Sequence, residues 1–195
     1  MVSIQKSSQG ITLVPIEARL LSERKIFMEG DITQEKACEF LREILVLTSE
    51  DAAKNIDVFI NSHGGEINAG LFVYDVIQNC KTPIRLFCVG QAYSMASIIF
   101  ACGNHGRYML EHSELMLHEP LLGNRIGGNS SSIKSISETL IETKNKLNKI
   151  LAQHTGRTEQ EIEKATGFDH FFTAKEAIEF GLADKIVGID FMMEG

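Results

Sequence analysis

The sequence lacks the features that mark several common classes of protein. No apolar stretch approaches the ~18 residues that a membrane-spanning helix needs, and no apolar h-region of a secretory signal follows Met1. No run of lysine and arginine is longer than a pair, and the net charge is −7. This charge gives no electrostatic case for binding nucleic acid or an anionic membrane. We therefore expect a soluble, cytoplasmic protein.

Ligand-binding motifs are equally scarce. The four cysteines form no CxxC pair, and none of the six histidines has H-x-x-x-H or H-E-x-x-H spacing, so a metal site has little support. Buried free thiols are the simplest interpretation of Cys38, Cys80, Cys88 and Cys102. No GK[ST] and no G-x-G-x-x-G occurs, which argues against a nucleotide site.

What remains is a chain of ordinary globular composition, with 44% apolar and 23% charged residues. Its 195 residues predict one domain. Short apolar runs typical of strands alternate along the chain with segments whose apolar residues fall at helical spacing. This alternation predicts an α/β fold with parallel strand pairing. Strands are predicted at 25–30, 56–61, 84–89, 107–110 and 115–118, and helices at 18–24, at 33–49, from about 68, after 94, and from 158 and 173.

A loose, glycine-rich stretch at 122–132 precedes a long amphipathic helix predicted at about 133–154. This helix carries one apolar stripe with charges opposite, so the stripe must be buried on something. Two arrangements are open. The helix folds back on its own domain, or it projects as an arm that packs on another subunit.

The stretch GQAYSMASIIFACG, residues 90–103, places Ser94 where a predicted strand runs into a predicted buried helix. Ser94 is either a helix cap or a nucleophile, because a helix N-terminus favours developing negative charge. It is not a G-x-S-x-G elbow, since Ala92 and Ala96 occupy the glycine positions. Local pattern alone leaves both interpretations open.

Three further features carry potential chemistry. Residues 61–65, NSHGG, end a strand with two glycines that suit either a tight turn or a close backbone approach to a ligand. His118 ends an apolar strand, where it is either structural or at a ligand-binding sheet edge. Asp169, framed by Phe168 and Phe171, needs a partner such as an imidazole if it is buried.

Five separated segments, at 19–27, 59–65, 90–95, 116–120 and 168–177, resemble in order the motifs of the Clp protease proteolytic subunit, the ClpP family of serine peptidases. Residues 181–184 close the pattern, and the likeness runs from about Ala18 to Val187. It implies a ClpP/crotonase-like α/β fold of stacked βαβ units. A strand–helix handle would protrude at about 122–154, residues 1–17 would be a mobile axial loop, and residues 18–195 would form the single domain.

The resemblance also implies residue roles. Ser94 would be the nucleophile, His118 the general base and then acid, and Asp169 the residue that orients the imidazole. The N–H groups of Gly65 and Met95 would form the oxyanion hole. An extended peptide would be flanked by Ile67, Leu121 and Leu122.

The partners implied are of three kinds. Two heptamers, of this chain alone or mixed with a paralogue, would stack into a closed chamber. A hexameric AAA+ ATPase would feed it unfolded polypeptides and consume the ATP, so this chain would need no cofactor and no metal.

Several residues depart from the family pattern. His63 replaces a proline, Tyr93 a small residue beside the nucleophile, Ala96 a glycine and Glu119 a glutamine, while Asp57 replaces an aromatic residue of the ATPase-docking pocket. The arginine expected beside Asp169 is missing, and so is the handle's acidic residue at 129–132. These changes concern the control of ring stacking and ATPase docking, and Tyr93 is expected to crowd or reshape the first specificity pocket. They suit a divergent second paralogue.

Three hypotheses follow. The first is a self-compartmentalised serine endopeptidase, and the second is a ClpP-like scaffold or regulator of low intrinsic activity. The third is a crotonase-type acyl-CoA enzyme, which would share the fold and the oxyanion hole without needing Ser94, His118 and Asp169 together.

Overall fold

The computed structural model describes residues 1–7, 10–123 and 128–193. At the N-terminus, β1 (Val2–Ser7) and β2 (Gly10–Pro15) pair antiparallel as a separate two-stranded sheet. Helix α1 (Ile16–Ser22) follows this hairpin. The expected mobile segment at 1–17 thus contains a strand pair, and its mobility stays a prediction.

The main sheet is mostly parallel, as predicted. Strands β3 (Lys25–Ile32), β4 (Ile56–Gly65), β5 (Ile84–Tyr93), β6 (Arg107–Met109) and β9 (Lys185–Ile186) lie side by side in that order. Strand β7 (Glu114–Leu117) pairs parallel with the end of β5 and antiparallel with β8 (His170–Thr173). Strands β8 and β9 are too short to show a period in the sequence, so the sequence analysis missed them.

The helices lie close to their predicted positions. They are α2 (Gln34–Glu50), α3 (Ile67–Asn79), α4 (Met95–Ala101), α5 (Ser130–Thr155), α6 (Glu159–Thr166) and α7 (Ala174–Phe180), with a 3-10 turn at Asp190–Met192. Capping side chains fix the residues at which helices α2 and α7 begin. Thr33 accepts a hydrogen bond from the N–H of Lys36, and Thr173 forms a reciprocal capping box with Glu176.

The sheet is buried on both faces at its centre, where β4 is buried throughout Ile56–Ile60. One face packs on the helices. On the other, the in-register residues Phe27, Phe59, Phe87 and Tyr108 stack with ring centroids 5.0 Å apart, and the 3-10 turn covers part of this stack through Phe191.

The same register explains the unexpected carboxylate at position 57. Asp57 lies opposite Arg85 on the neighbouring strand, and the two form a bidentate ion pair with N–O distances of 2.6 and 2.7 Å. Asp57 is buried, and a buried carboxylate is tolerated when it is paired in this way. The acidic departure is therefore compensated within the chain.

Helix α5 has two distinct halves. Its C-terminal half buries Leu147 and Leu151 and packs on α4 and α6. Residues 130–142 include no buried side chain, and Ile133 and Ile141 are exposed. The first half therefore projects, and the fold-back arrangement is wrong for it. Residues 124–127 of the predicted handle lie outside the described residues.

Two features are absent from the described ranges. No helix there combines the length and apolar character needed to cross a membrane. No group of three or more His, Cys, Asp or Glu side chains lies together there in an arrangement that could hold a metal ion.

Candidate active site

The turn between β5 and α4 holds Ser94 in an unusual backbone conformation. Its φ is 54° and its ψ is −122°, a region that side-chain-bearing residues seldom adopt. The N–H of Ser94 donates to the carbonyl of Met116 on β7, at 2.8 Å. This bond ties the turn to the strand that ends next to His118.

The hydroxyl of Ser94 is 2.7 Å from Nε2 of His118, within hydrogen-bonding distance. The two residues are 24 positions apart in the chain and meet because β5 and β7 are neighbouring parallel strands. The Ser94 side chain caps no N–H of α4. The helix-cap interpretation is therefore wrong, and the arrangement is that of a hydroxyl paired with a base.

Asp169, the third predicted catalytic residue, is not bonded to the Ser94–His118 pair in the described part of the chain. It is exposed, and no hydrogen bond or ion pair joins it to His118 within those residues. Its backbone, however, adjoins the strand pair that leads to His118. Strands β7 and β8 pair antiparallel, and the pairing ends with Leu117 opposite His170. His118 directly follows Leu117 in the sequence, and Asp169 directly precedes His170.

The glycines of residues 61–65 pack directly on the Ser94 turn. Gly64 has a φ of 97°, and a Cβ on it would lie 2.8 Å from Cβ of Ser94 and 3.0 Å from the amide nitrogen of Met95. A side chain is therefore excluded here on both conformation and space. The close approach seen here is to the Ser94 turn, and the predicted approach of this backbone to a ligand stays a prediction.

A cavity of about 200 Å³ lies at this junction. It brings together most of the predicted site, namely Gly65, Ile67, Ser94, Met95, His118 and Leu121. Asp169 and the exposed Leu122 are not among its lining residues. The lining is otherwise mostly apolar, which is typical of ligand-binding pockets.

Four lining residues were missed from the sequence: Ile98, Glu119, Pro120 and Leu147. Ile98 follows Ser94 by one helical turn, and Glu119 and Pro120 directly follow His118, so local spacing could have found them. Leu147 comes from α5, and only the packing of that helix reveals its place.

Tyr93 is not among the residues that line the cavity, so the expectation that it crowds this pocket is wrong. Its hydroxyl donates to Oε2 of Glu114 at 2.5 Å, and its ring meets Phe171 edge-on at 5.6 Å. The hydrogen bond to Glu114 is the main cause that raises the pKa of Tyr93 to about 12. Tyr93 thus remains a neutral phenol that is hydrogen-bonded to Glu114 on β7.

A larger groove, of about 780 Å³, lies between α1, β3 and α2. None of the predicted site residues lines it. Within this groove, burial and the nearby Glu39 raise the pKa of Glu43 to about 7. Among the described residues that line this groove, none is a hydroxyl or thiol paired with an imidazole, whereas the smaller cavity holds the Ser94–His118 pair.

Comparison with known families identifies the chain. A family model described as Clp protease matches residues 8–190, nearly the full length. The mixed α/β architecture and the mostly parallel sheet agree with a ClpP/crotonase-like fold. The coarse function that follows is a ClpP-type peptidase, in agreement with the Ser94–His118 pair. The chain therefore belongs to the Clp protease family.

Proposed function

We propose that the chain is a serine endopeptidase subunit that hydrolyses peptide bonds of unfolded proteins inside a barrel-shaped oligomer. Ser94 is the nucleophile and His118 the general base and acid. The observation that carries the proposal is the 2.7 Å distance between the Ser94 hydroxyl and Nε2 of His118 at the edge of a cavity.

The proposed reaction is acyl transfer in two halves. Oγ of Ser94 attacks the scissile carbonyl carbon while its proton passes to His118, and the oxyanion accepts hydrogen bonds from the N–H groups of Gly65 and Met95. His118 then gives its proton to the leaving amine as the C–N bond breaks. Water, deprotonated by His118, hydrolyses the acyl-enzyme and restores Ser94.

Asp169 is proposed as the residue that orients the His118 imidazole. The β7–β8 register supports this role, because the last paired residues are Leu117 and His170, which directly adjoin His118 and Asp169 in the sequence. The isolated chain lacks the hydrogen bond, so we propose that the bond forms in the assembled particle. Asp169→Asn should then lower active-site labelling by about 10⁴-fold in assembled particles and leave dissociated subunits unchanged. Equal effects in both fractions would contradict assembly-linked alignment.

The proposed substrate is an extended polypeptide. The cavity is lined by Ile67, Ile98 and Leu147, which suits an apolar side chain on the acyl side of the scissile bond. Ile67, Leu121 and Leu122 are proposed to flank the peptide, which would pair as an added strand. Leu121 and Leu122 are exposed, so they are accessible to it.

The proposed assembly is two stacked heptamers, of this chain alone or with a paralogue, served by a hexameric AAA+ ATPase. The exposed first half of α5 supports the stacking contact, since Ile133 and Ile141 need an apolar partner. ATP would be consumed by the ATPase, so the chain itself needs no cofactor.

A second candidate function is a scaffold of low intrinsic activity in a mixed complex. The observation that favours it is the missing bond between Asp169 and His118. A purified particle that assembles but does not react with a fluorophosphonate would support this candidate. Rapid labelling of the protein on its own would exclude it.

The decisive variant is Ser94→Ala, with Ser49→Ala on the surface of α2 as its control. Fluorophosphonate labelling and cleavage of a fluorogenic peptide should both vanish in Ser94→Ala, while the native mass stays that of the parent. Ser49→Ala should retain both activities. Labelling that persists in Ser94→Ala would refute the assignment of the nucleophile.

A further inference from the structure

The segment that carries His118 has few ties to the rest of the molecule. His118 lies one residue beyond β7, and residues 118–123 adopt no helix or strand. In the ranges that the structure describes, no main-chain hydrogen bond holds these residues. Something other than backbone pairing must therefore keep the imidazole in place.

One ion pair joins this segment to helix α5. Oε1 of Glu119 is 2.7 Å from Nζ of Lys144, which also lies 3.0 Å from Oε1 of Glu163. Lys144 belongs to α5 and Glu163 to α6, so the next residue after His118 is fixed to the two packed helices. The side chain of Lys144 is only 21% exposed, which limits its alternative positions.

The position of Lys144 on α5 also restricts the movement of its side chain. It lies one turn before Leu147, where the exposed first half of α5 gives way to the packed second half. The packed half is anchored by Leu147, which also lines the cavity. The ammonium group therefore projects from a rigid part of the helix, as a positioning contact requires.

We propose that Lys144 is a positioning residue, which holds Glu119 and thereby keeps Nε2 of His118 within hydrogen-bonding distance of the Ser94 hydroxyl. This inference rests on the proposed catalytic role of His118. Glu119 replaces the glutamine of the family pattern, and a neutral amide could not form this ion pair. The contact therefore belongs to the particular residues of this chain.

The test compares variants that break the contact with variants that preserve it. Lys144→Met and Glu119→Gln remove the ion pair, Lys144→Arg keeps it, and Glu163→Gln removes only the partner that does not adjoin His118. The first pair should slow fluorophosphonate labelling of Ser94 about tenfold and lower kcat for a short peptide with little change in KM. Lys144→Arg and Glu163→Gln should behave like the parent.

A second measurement does not depend on activity. Diethyl pyrocarbonate modifies free imidazole nitrogens, and trypsin should release residues 108–125 as one peptide that contains both His118 and the exposed His112. The ratio of modification at His118 to that at His112 should rise severalfold in Lys144→Met and Glu119→Gln. It should stay at the parent value in Lys144→Arg and Glu163→Gln.

The outcomes separate this inference from the proposed function. Parent-like labelling and modification ratios in Lys144→Met and Glu119→Gln would overturn the positioning role. An equal effect of Glu163→Gln would also overturn it, because it would indicate general loosening of the helices. If the parent itself does not label, the proposed function fails, and the modification ratios alone decide whether Lys144 positions His118.

Discussion

At the residue scale, the site depends on how closely two stretches of backbone approach. Ser94 holds a strained conformation because its turn is fixed from both sides. Its N–H is bonded to Met116, and Gly64 packs against its Cβ. Strain of this kind persists only when the surroundings over-determine it.

The first prediction concerns this contact. Gly64→Ala should lower the labelling rate of Ser94 by at least about 10²-fold, the cost of losing one oxyanion donor, because the new Cβ must displace the turn that carries Ser94 and Met95. Intact protein mass spectrometry after timed exposure to a fluorophosphonate measures the rate. Gly123→Ala, where an added Cβ would meet nothing within 4 Å, is the matched control. Normal labelling of Gly64→Ala would show that the turn does not need this approach.

At the element scale, α2 carries an unusual carboxyl group into the groove beside α1 and β3. Burial is the main cause that raises the pKa of Glu43 from 4.5 to about 7, and the like charge of Glu39 adds to it. A folded-state pKa above the unfolded value means that the ionised form opposes folding. Glu43 therefore costs no stability below about pH 4.5, and its cost grows as the pH rises to about 7.

The second prediction follows from that sign. Glu43→Gln should melt at a higher temperature than the parent at pH 8, and the difference should shrink at pH 5, where the folded parent holds the proton. Because burial is the larger cause, the difference should persist at high ionic strength. Thermal melts at the two pH values measure it, with the exposed Glu35→Gln on the same helix as control. If the difference in melting temperature between Glu43→Gln and the parent grew toward pH 5, burial would not oppose ionisation of Glu43.

At the scale of the whole molecule, the first half of α5 buries no side chain against the part of the chain that the structure describes. The third prediction is that Ile141→Glu prevents the proposed stacking of rings while each subunit stays folded, because a charge cannot be buried in an apolar contact without a partner. Native mass determination should then show particles of half the parent mass. Asn145→Glu places the same residue at an exposed polar position of the same helix and should leave the mass unchanged.

Helix and strand positions were largely predictable because their causes are local. The caps at Thr33 and Thr173 and the helical spacing of apolar residues act within a few positions along the chain. Strand β8 was missed because four residues carry no readable period. Its pairing with β7, which puts His170 opposite Leu117 at the end of the ladder, arises only from the tertiary arrangement.

The sequence by itself determined the α/β class, the order of the elements and the residue types that could carry acyl transfer. Only the tertiary structure decided that Ser94 pairs with His118 and that Lys144 holds Glu119, and within the described ranges it leaves Asp169 without a hydrogen bond to His118. The reason is physical. A hydrogen bond tolerates only a few tenths of an ångström, and that precision comes from the packing of elements that lie far apart in the chain.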